Sequence, residues 1–263
     1  VMAVADTHAE HNVVFAWSAE SYRDNITKTE WIDRYEGYEL RTFTDEDKML
    51  IAFVEHLVEC DPDMLIAHAG GWADLPKLYN RLGALRHDIS PLGTFLPPKK
   101  DGSGYRTTAQ PIKGRLVFDT AAQWEEGSGF EGVWQKSGRG KAQQRKLAWF
   151  ATELGLGSKL TDEIEGMTVH NGWKEYYDDF VDYCLVDTTL LRDIDVKLNC
   201  TDFHLALQQV AGVQFGSTHN VSRYFRGLIG CKTNLKAPTS YLLERPELQA
   251  AWVMPPVAGR PED

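Results

Sequence analysis

Tyr183 and Asp187 stand four residues apart in "YYDDFVDYCLVDTTLLRDIDVKL" (176–198). Phe180, Cys184, Leu191, Ile194 and Leu198 recur there at steps of three and four, which predicts one helix with a buried face. A hydroxyl and a carboxylate at that spacing lie one above the other. A carboxylate on an apolar face is costly unless something compensates it. A second acid, Asp74, follows the strand-like run "PDMLIAHAGG" and opens the helical run "ADLPKLYNRLGAL", with Pro76 in its first turn. Two carboxylates converging on one site repel unless a hard divalent cation lies between them, and oxygen ligands are what Mg²⁺ or Mn²⁺ takes. Paired ions of this kind activate a water and stabilise the leaving oxygen of a phosphodiester. Tyr183 would then orient the water or the phosphate through its hydroxyl. The alternative is structural: Asp187 bonds a buried arginine or a backbone group, and Tyr183 is ordinary core.

A rival constellation lies near the start. On a strand, Asp6, His8 and Glu10 alternate onto one face with His11 beside them, a set that could bind a transition metal as a separate hydrolase site. The same residues fall where a first hairpin should turn, and turns collect polar residues for backbone reasons. A Gly-x-Ser-x-Gly elbow and a P-loop are absent from the sequence.

The elements that must position these groups alternate. "VMAVADTH" and "NVVFAWSA" predict a hairpin, and "YELRTF" (38–43) a further strand. Thr44 is expected to cap the helix in "TDEDKMLIAFVEHLVEC", which places Met49, Phe53 and Leu57 on one face. A Pro-, Lys- and Gly-rich stretch (91–104) reads as a loop. "GRLVFDTA" then reads as a strand with Asp119 near its end, and "RKLAWFATELGLG" and "TDFHLALQQVAG" as helices. Interleaved strands and helices make the class α/β, a mixed central sheet flanked by helices.

A chain of 263 residues, 43% hydrophobic, can bury a sizeable core, and a net charge of −10 argues against a broad basic surface. The basic residues are uneven, however. "KSGRGKAQQRK" (136–146) holds no acid and suits a short cationic groove, with Lys146 at the start of the following helix. Cys60, Cys184, Cys200 and Cys231 show no CxxC pair, so they are expected to be reduced, buried thiols in a cytoplasmic protein. Apolar runs stay short of a membrane span, so no membrane partner is expected.

Taken in order, four segments resemble the exonuclease region of phage-like family B DNA polymerases. "YCLVD" resembles the family's Tyr-x-x-x-Asp third motif, and "CDPDMLIAHAGGWADLPKLYNRL" its second. "GRLVFDTA" is similar to the element between those motifs, and "FHLALQQVAGVQFGSTHNVSRYFRGLI" to the segment leading to the polymerase palm. The resemblance implies a ribonuclease H-like fold and a proofreading 3′–5′ exonuclease working with two Mg²⁺ or Mn²⁺ ions on the single-stranded 3′ end of a primer-template. By motif match, Asp74 and Asp187 would be metal ligands, and Tyr183 would hold the attacking water or the phosphate. His68, Trp72 and Lys146 would contact the strand, Trp72 by stacking under a base. Such a protein works in the cytoplasm, the host cell's if it is viral.

Two departures from the family pattern stand out. Its first motif, Asp-x-Glu on the first strand, has no counterpart here, since Asp6 and Glu10 in "ADTHAE" have a different spacing. The family's Asn and aromatic residue before the second-motif Asp are replaced by Ala69 or Gly70, and by Ala73. The expected organisation is an exonuclease domain over residues 1–200, its Asp-x-Glu strand missing. A helical segment and linker over 201–263 would lead to a polymerase domain of the same parent chain. The runner-up is a DNA-binding scaffold with a degenerate metal site, ahead of the Asp6/His8/Glu10 hydrolase.

Overall fold

The computed structural model describes residues 1–7, 11–17, 30–70, 73–88, 90–95, 99–101, 104–106, 112–121, 134, 146–157, 164–168, 170–215, 218 and 221–233. His8, Glu10, Trp72, the basic stretch up to Arg145 and the tail from residue 234 lie outside them. The first half runs β1 (Met2–Asp6), β2 (His11–Trp17), β3 (Glu30–Tyr35), β4 (Tyr38–Phe43), α1 (Glu46–Cys60), β5 (Met64–Ala67) and α2 (Asp74–Ala84). A 3-10 turn (Ser90–Leu92) leads to four short strands, β6 (Thr94–Phe95), β7 (Lys99–Asp101), β8 (Gly104–Arg106) and β9 (Ile112–Lys113), and then to β10 (Leu116–Asp119). The helices that follow are α3 (Leu147–Glu153), α4 (Gly172–Glu175), α5 (Tyr177–Leu198), α6 (Cys200–Ala211) and α7 (Val221–Thr233).

The larger sheet has the order β1-β2-β4-β3 and is mixed: β2 is antiparallel to β1 and parallel to β4, and β3 is antiparallel to β4. β5 and β10 form a second, parallel pair, with Ala67 opposite Asp119. The expected α/β class, a mixed sheet flanked by helices, is what the chain forms.

Side-chain alternation shows how the layers stack. Val13, Phe15 and Trp17 of β2, Met2 and Val4 of β1, Leu65 of β5 and Val117 of β10 all enter one core with α1 and α2. Val14 and Ala16, with Ala3, point the other way onto Val181 and Leu185 of α5. Met64 and Ile66 of β5 and Leu116 and Phe118 of β10 meet the second half of α5, through Val186, Leu190 and Ile194. Burial on both faces explains the unbroken apolar run of "VVFAW". Both sheets therefore lie in one layer between α1 and α2 on one side and α5 on the other. Helix α5 crosses from the first sheet to the second, and among the described residues no strand joins the two.

The first helix starts one residue later than the sequence suggested: Asp45, not Thr44, is the cap, and its carboxylate accepts the Asp47 N–H at 3.0 Å. Where a loop was expected between 91 and 104, β6 pairs with β9 and β7 with β8. The thiol expectation also needs correcting. All four cysteines are free, but only Cys200 is buried, Cys184 is half-buried, and Cys60 and Cys231 are exposed. Cys60 closes the last turn of α1, its Sγ against the His56 ring, and Cys231 stands near the end of α7, its Sγ 3.6 Å from the Ala211 carbonyl oxygen. No helix among the described residues is long and apolar enough to cross a membrane.

A buried acid on β4 ties stability to pH. Glu39 accepts from Arg41 at 2.6 Å and lies 3.4 Å from Arg34, while Arg41 also sits over the Phe15 ring. Burial pushes the Glu39 carboxyl up, but the hydrogen bond and charge of Arg41, with Arg34 and His11 behind it, prevail and hold it below its ordinary value. A carboxyl depressed by folding adds stability above its unfolded pKa, and that stability is lost as pH falls through the folded one. The urea midpoint is expected to drop between about pH 5 and pH 3, and Glu39→Gln to flatten that drop. An unchanged slope in the variant would remove Glu39 from the account.

Candidate active site

Four of the sequence candidates fall in two places. The first lies at the C-terminal ends of the parallel strands β5 and β10. Beyond Ala67 the chain turns through His68, Ala69 and Gly70, and Asp74 is the first residue of α2, as expected from its strand–turn–helix setting. No side chain caps this helix. Instead, Ala73 N–H donates to the Ala69 carbonyl and Leu75 N–H to that of Gly70, both at 2.9 Å. Ala69 has φ +67°, a left-handed conformation that costs an L-residue roughly 1–2 kcal/mol. The turn is also tight: a Cβ on Gly70 would lie 2.3 Å from the Ala67 Cβ, so only glycine fits there.

Asp119, which sequence reasoning placed near a strand end and gave no role, stands at the centre of this region. Its Oδ1 accepts the Ala69 N–H at 2.9 Å and the Ala121 N–H at 3.0 Å. Its neighbour Thr120 is buried, with Oγ1 2.9 Å from His68 Nδ1 and 3.3 Å from the Ala67 carbonyl oxygen. A carbonyl can only accept, so with both bonds made the threonine proton goes to Ala67 and His68 donates from Nδ1. In the neutral ring this leaves Nε2 as the accepting nitrogen.

Asp74 is exposed as a residue, so its desolvation is partial, yet that desolvation still raises the carboxyl above its ordinary pKa. The positive charges of Lys77 and His68 pull it back, and the negative charge of Asp119 adds to the rise. Two carboxylates that feel each other at the end of a parallel sheet, beside a helix N-terminus, form a polar, oxygen-rich corner.

The second place is on α5. Tyr183 and Asp187 are both half-buried, and the Tyr183 ring stacks on Phe180 at 5.6 Å between centroids. Asp187 directly follows Leu185, which packs on the first sheet, and Val186, which packs on the second. Its Oδ1 is sealed from solvent. Lys146 is exposed and forms the N-cap of α3 through its backbone, its carbonyl accepting from Trp149 and Phe150. Trp72 lies outside the described residues.

At the start of the chain, Asp6 and His11 face each other across the β1–β2 hairpin, and His8 and Glu10 lie outside the described residues. Among the described residues, no three His, Cys, Asp or Glu side chains come together to hold a metal ion. By donor chemistry, Asp74 and Asp187 suit a hard divalent cation. The described residues do not complete such a site on their own.

Together the fold and the candidate residues give an α/β domain, a mixed sheet between helices with acids at a strand end and on a covering helix. Residues 2–127, just under half of the chain, match the family described as DNA polymerase family B, exonuclease domain. The match takes in the first sheet, α1, β5, α2, Asp74 and Asp119. It stops short of α5 with Tyr183 and Asp187. No curated protein matches the chain.

Proposed function

We propose that this chain carries the proofreading 3′–5′ exonuclease of a family B, DNA-directed DNA polymerase, acting on single-stranded 3′ ends. The observation that carries the reading is the family match over residues 2–127, with Asp74 inside it at the first turn of α2. Asp74 and Asp187 would hold Mg²⁺ or Mn²⁺, which when bound supplies an activated water and a charge for the leaving oxygen. Asp187 would present its carboxylate from the helix that crosses between the two sheets, and Tyr183, one turn earlier, would hold the water or the phosphate. Lys146, His68 and Trp72 would hold the strand's backbone and terminal base. The polymerase domain of the same parent chain would supply and reclaim the 3′ end.

A second reading is favoured by one observation, that no three metal-ligating residues converge among those described. In it the exonuclease fold persists as a DNA-binding scaffold.

The test is single-stranded DNA labelled at either end, incubated with Mn²⁺ or Mg²⁺ and then with a chelator. The proposed function expects mononucleotides released from the 3′ end only, with release halted by chelation. Binding of the strand without degradation would select the scaffold, and neither binding nor degradation would reject both readings.

A further inference from the structure

The Asp119 carboxylate is linked to the start of α2 through a chain of hydrogen bonds that the proposed chemistry leaves without a role. Its Oδ1 holds the Ala69 N–H at 2.9 Å, across a sequence separation of 50 residues, and is braced from its own side by the Ala121 N–H at 3.0 Å. Ala69 is the residue with φ +67°, where an L-side chain is disfavoured and glycine is at ease. The neighbouring Gly70 cannot relieve the turn by shifting toward the strand, because it already lies against Ala67. Ala69 passes the constraint on, since its carbonyl accepts the N–H of Ala73, the residue before Asp74. The carbonyl of Gly70 accepts the N–H of Leu75, the residue after it. The backbone on both sides of Asp74 is therefore tied to the turn that Asp119 holds.

We propose that Asp119 is a positioning residue, whose carboxylate fixes the left-handed turn at Ala69 and through it the place of the Asp74 carboxylate at the start of α2. This rests on the reading of Asp74 as a ligand of the exonuclease site. Asp119 acts as a hydrogen-bond acceptor in this role, so an amide oxygen in the same place does the same work. Removing the acceptor leaves Ala69 free to leave its disfavoured conformation. Replacing Ala69 by glycine makes the acceptor dispensable, because glycine takes positive φ unaided.

Four chains separate this from a general structural role: wild type, Asp119→Ala, Asp119→Asn, and Asp119→Ala combined with Ala69→Gly. Two readouts are used: amide hydrogen exchange at Ala69 and Ala73, and Mn²⁺-dependent 3′-end degradation resolved into kcat and KM. Asp119→Ala is expected to speed exchange at both amides at least about tenfold. It should also lower kcat by about 10–100-fold, with KM for DNA nearly unchanged, as the loss of an orienting partner does. Asp119→Asn and the double variant should both return toward wild type. Failure of both to recover, or unchanged exchange in Asp119→Ala, overturns the proposal. If Asp119→Ala does not fold, recovery of a folded chain in the double variant supports the proposal, and an unfolded double variant overturns it. A wild type without nuclease activity rejects the proposed function instead, and the exchange rates still decide what Asp119 does.

Discussion

Asp187→Ala is expected to lower divalent-ion-dependent degradation of 3′ ends by at least about 100-fold, above the 10–100-fold typical for losing a mere supporting partner of a metal site. The unfolding midpoint of the same variant separates two accounts of Asp187: a carboxylate kept only for the metal leaves the midpoint unchanged or raised when it is removed, and one that bonds the fold lowers it. Asp187 interrupts an apolar surface: Leu185 and Val186 beside it pack on the two sheets, and Leu190 one turn on is buried in the second core. An acid half-buried there, with one oxygen sealed from solvent, costs stability unless a partner compensates it. A residue kept for function alone would trade in the first direction, costly to the fold and necessary to the activity. The structural alternative predicts the reverse, a loss of about 1–3 kcal/mol on truncation with the midpoint falling, because a buried group bonded to Asp187 would be stranded. One urea titration and one time course on labelled DNA decide between them. A lower midpoint with full activity would remove Asp187 from the site and leave Asp74 as the only carboxylate ligand named.

The strand–turn–helix that delivers Asp74 was legible because its signals are local: a short apolar run, a glycine pair, and a proline in the first helical turn. The hairpin of β1 and β2 and the long helix α5 were legible for the same reason. β3 was not. Its sequence "EWIDRY" mixes charge with apolar residues, Ile32 and Tyr35 are exposed, and the strand sits at the sheet edge, held by pairing with β4. Edge strands with one partner carry little hydrophobic pattern to read. The buried face of α5 was read only in part. Phe180 and Ile194 are buried as the spacing said, but Val181 and Leu190 are buried too, while Cys184, Leu191 and Leu198 are half-exposed. One helix serving two sheets turns a different stripe to each, and a single stripe cannot describe both.

The role of Asp119 was invisible for a different reason. Nothing local marks it beyond its place at the end of an apolar strand. Its meaning comes from the parallel pairing that sets Asp119 opposite Ala67, and a register across some fifty residues is a tertiary fact. The signal available was an acid directly after "LVF" at a strand end, paired in thought with the residues after "MLIA". Acids at the C-terminal ends of parallel strands are where α/β folds gather their chemistry. That rule would have nominated Asp119 alongside Asp74.

Phe118→Ala tests whether the core beneath that corner is as continuous as the packing indicates. Phe118 is 3% exposed and meets the Phe215 ring edge-on at 5.5 Å and the His204 ring at 5.3 Å. It shares its core with Phe150, Leu190, Ile194 and Cys200, so α3, α5 and α6 all close around it. Truncating a phenylalanine in such surroundings costs about 3–5 kcal/mol, the lost transfer energy plus the cavity left behind. Against a total stability of roughly 5–15 kcal/mol, the urea midpoint should fall far enough to be read without ambiguity. Phe118→Leu, which refills most of the volume, should lose much less. The effect reaches the site through the chain itself, since Phe118 immediately precedes Asp119 and anchors the end of β10 from below. A cavity there should loosen the Ala69 amide before the whole domain opens, visible as faster exchange at that position in conditions where α1 remains protected. A loss under about 1 kcal/mol would mean that helices α3, α5 and α6 do not seal this strand, and that the clamp at Asp119 rests on its own hydrogen bonds alone.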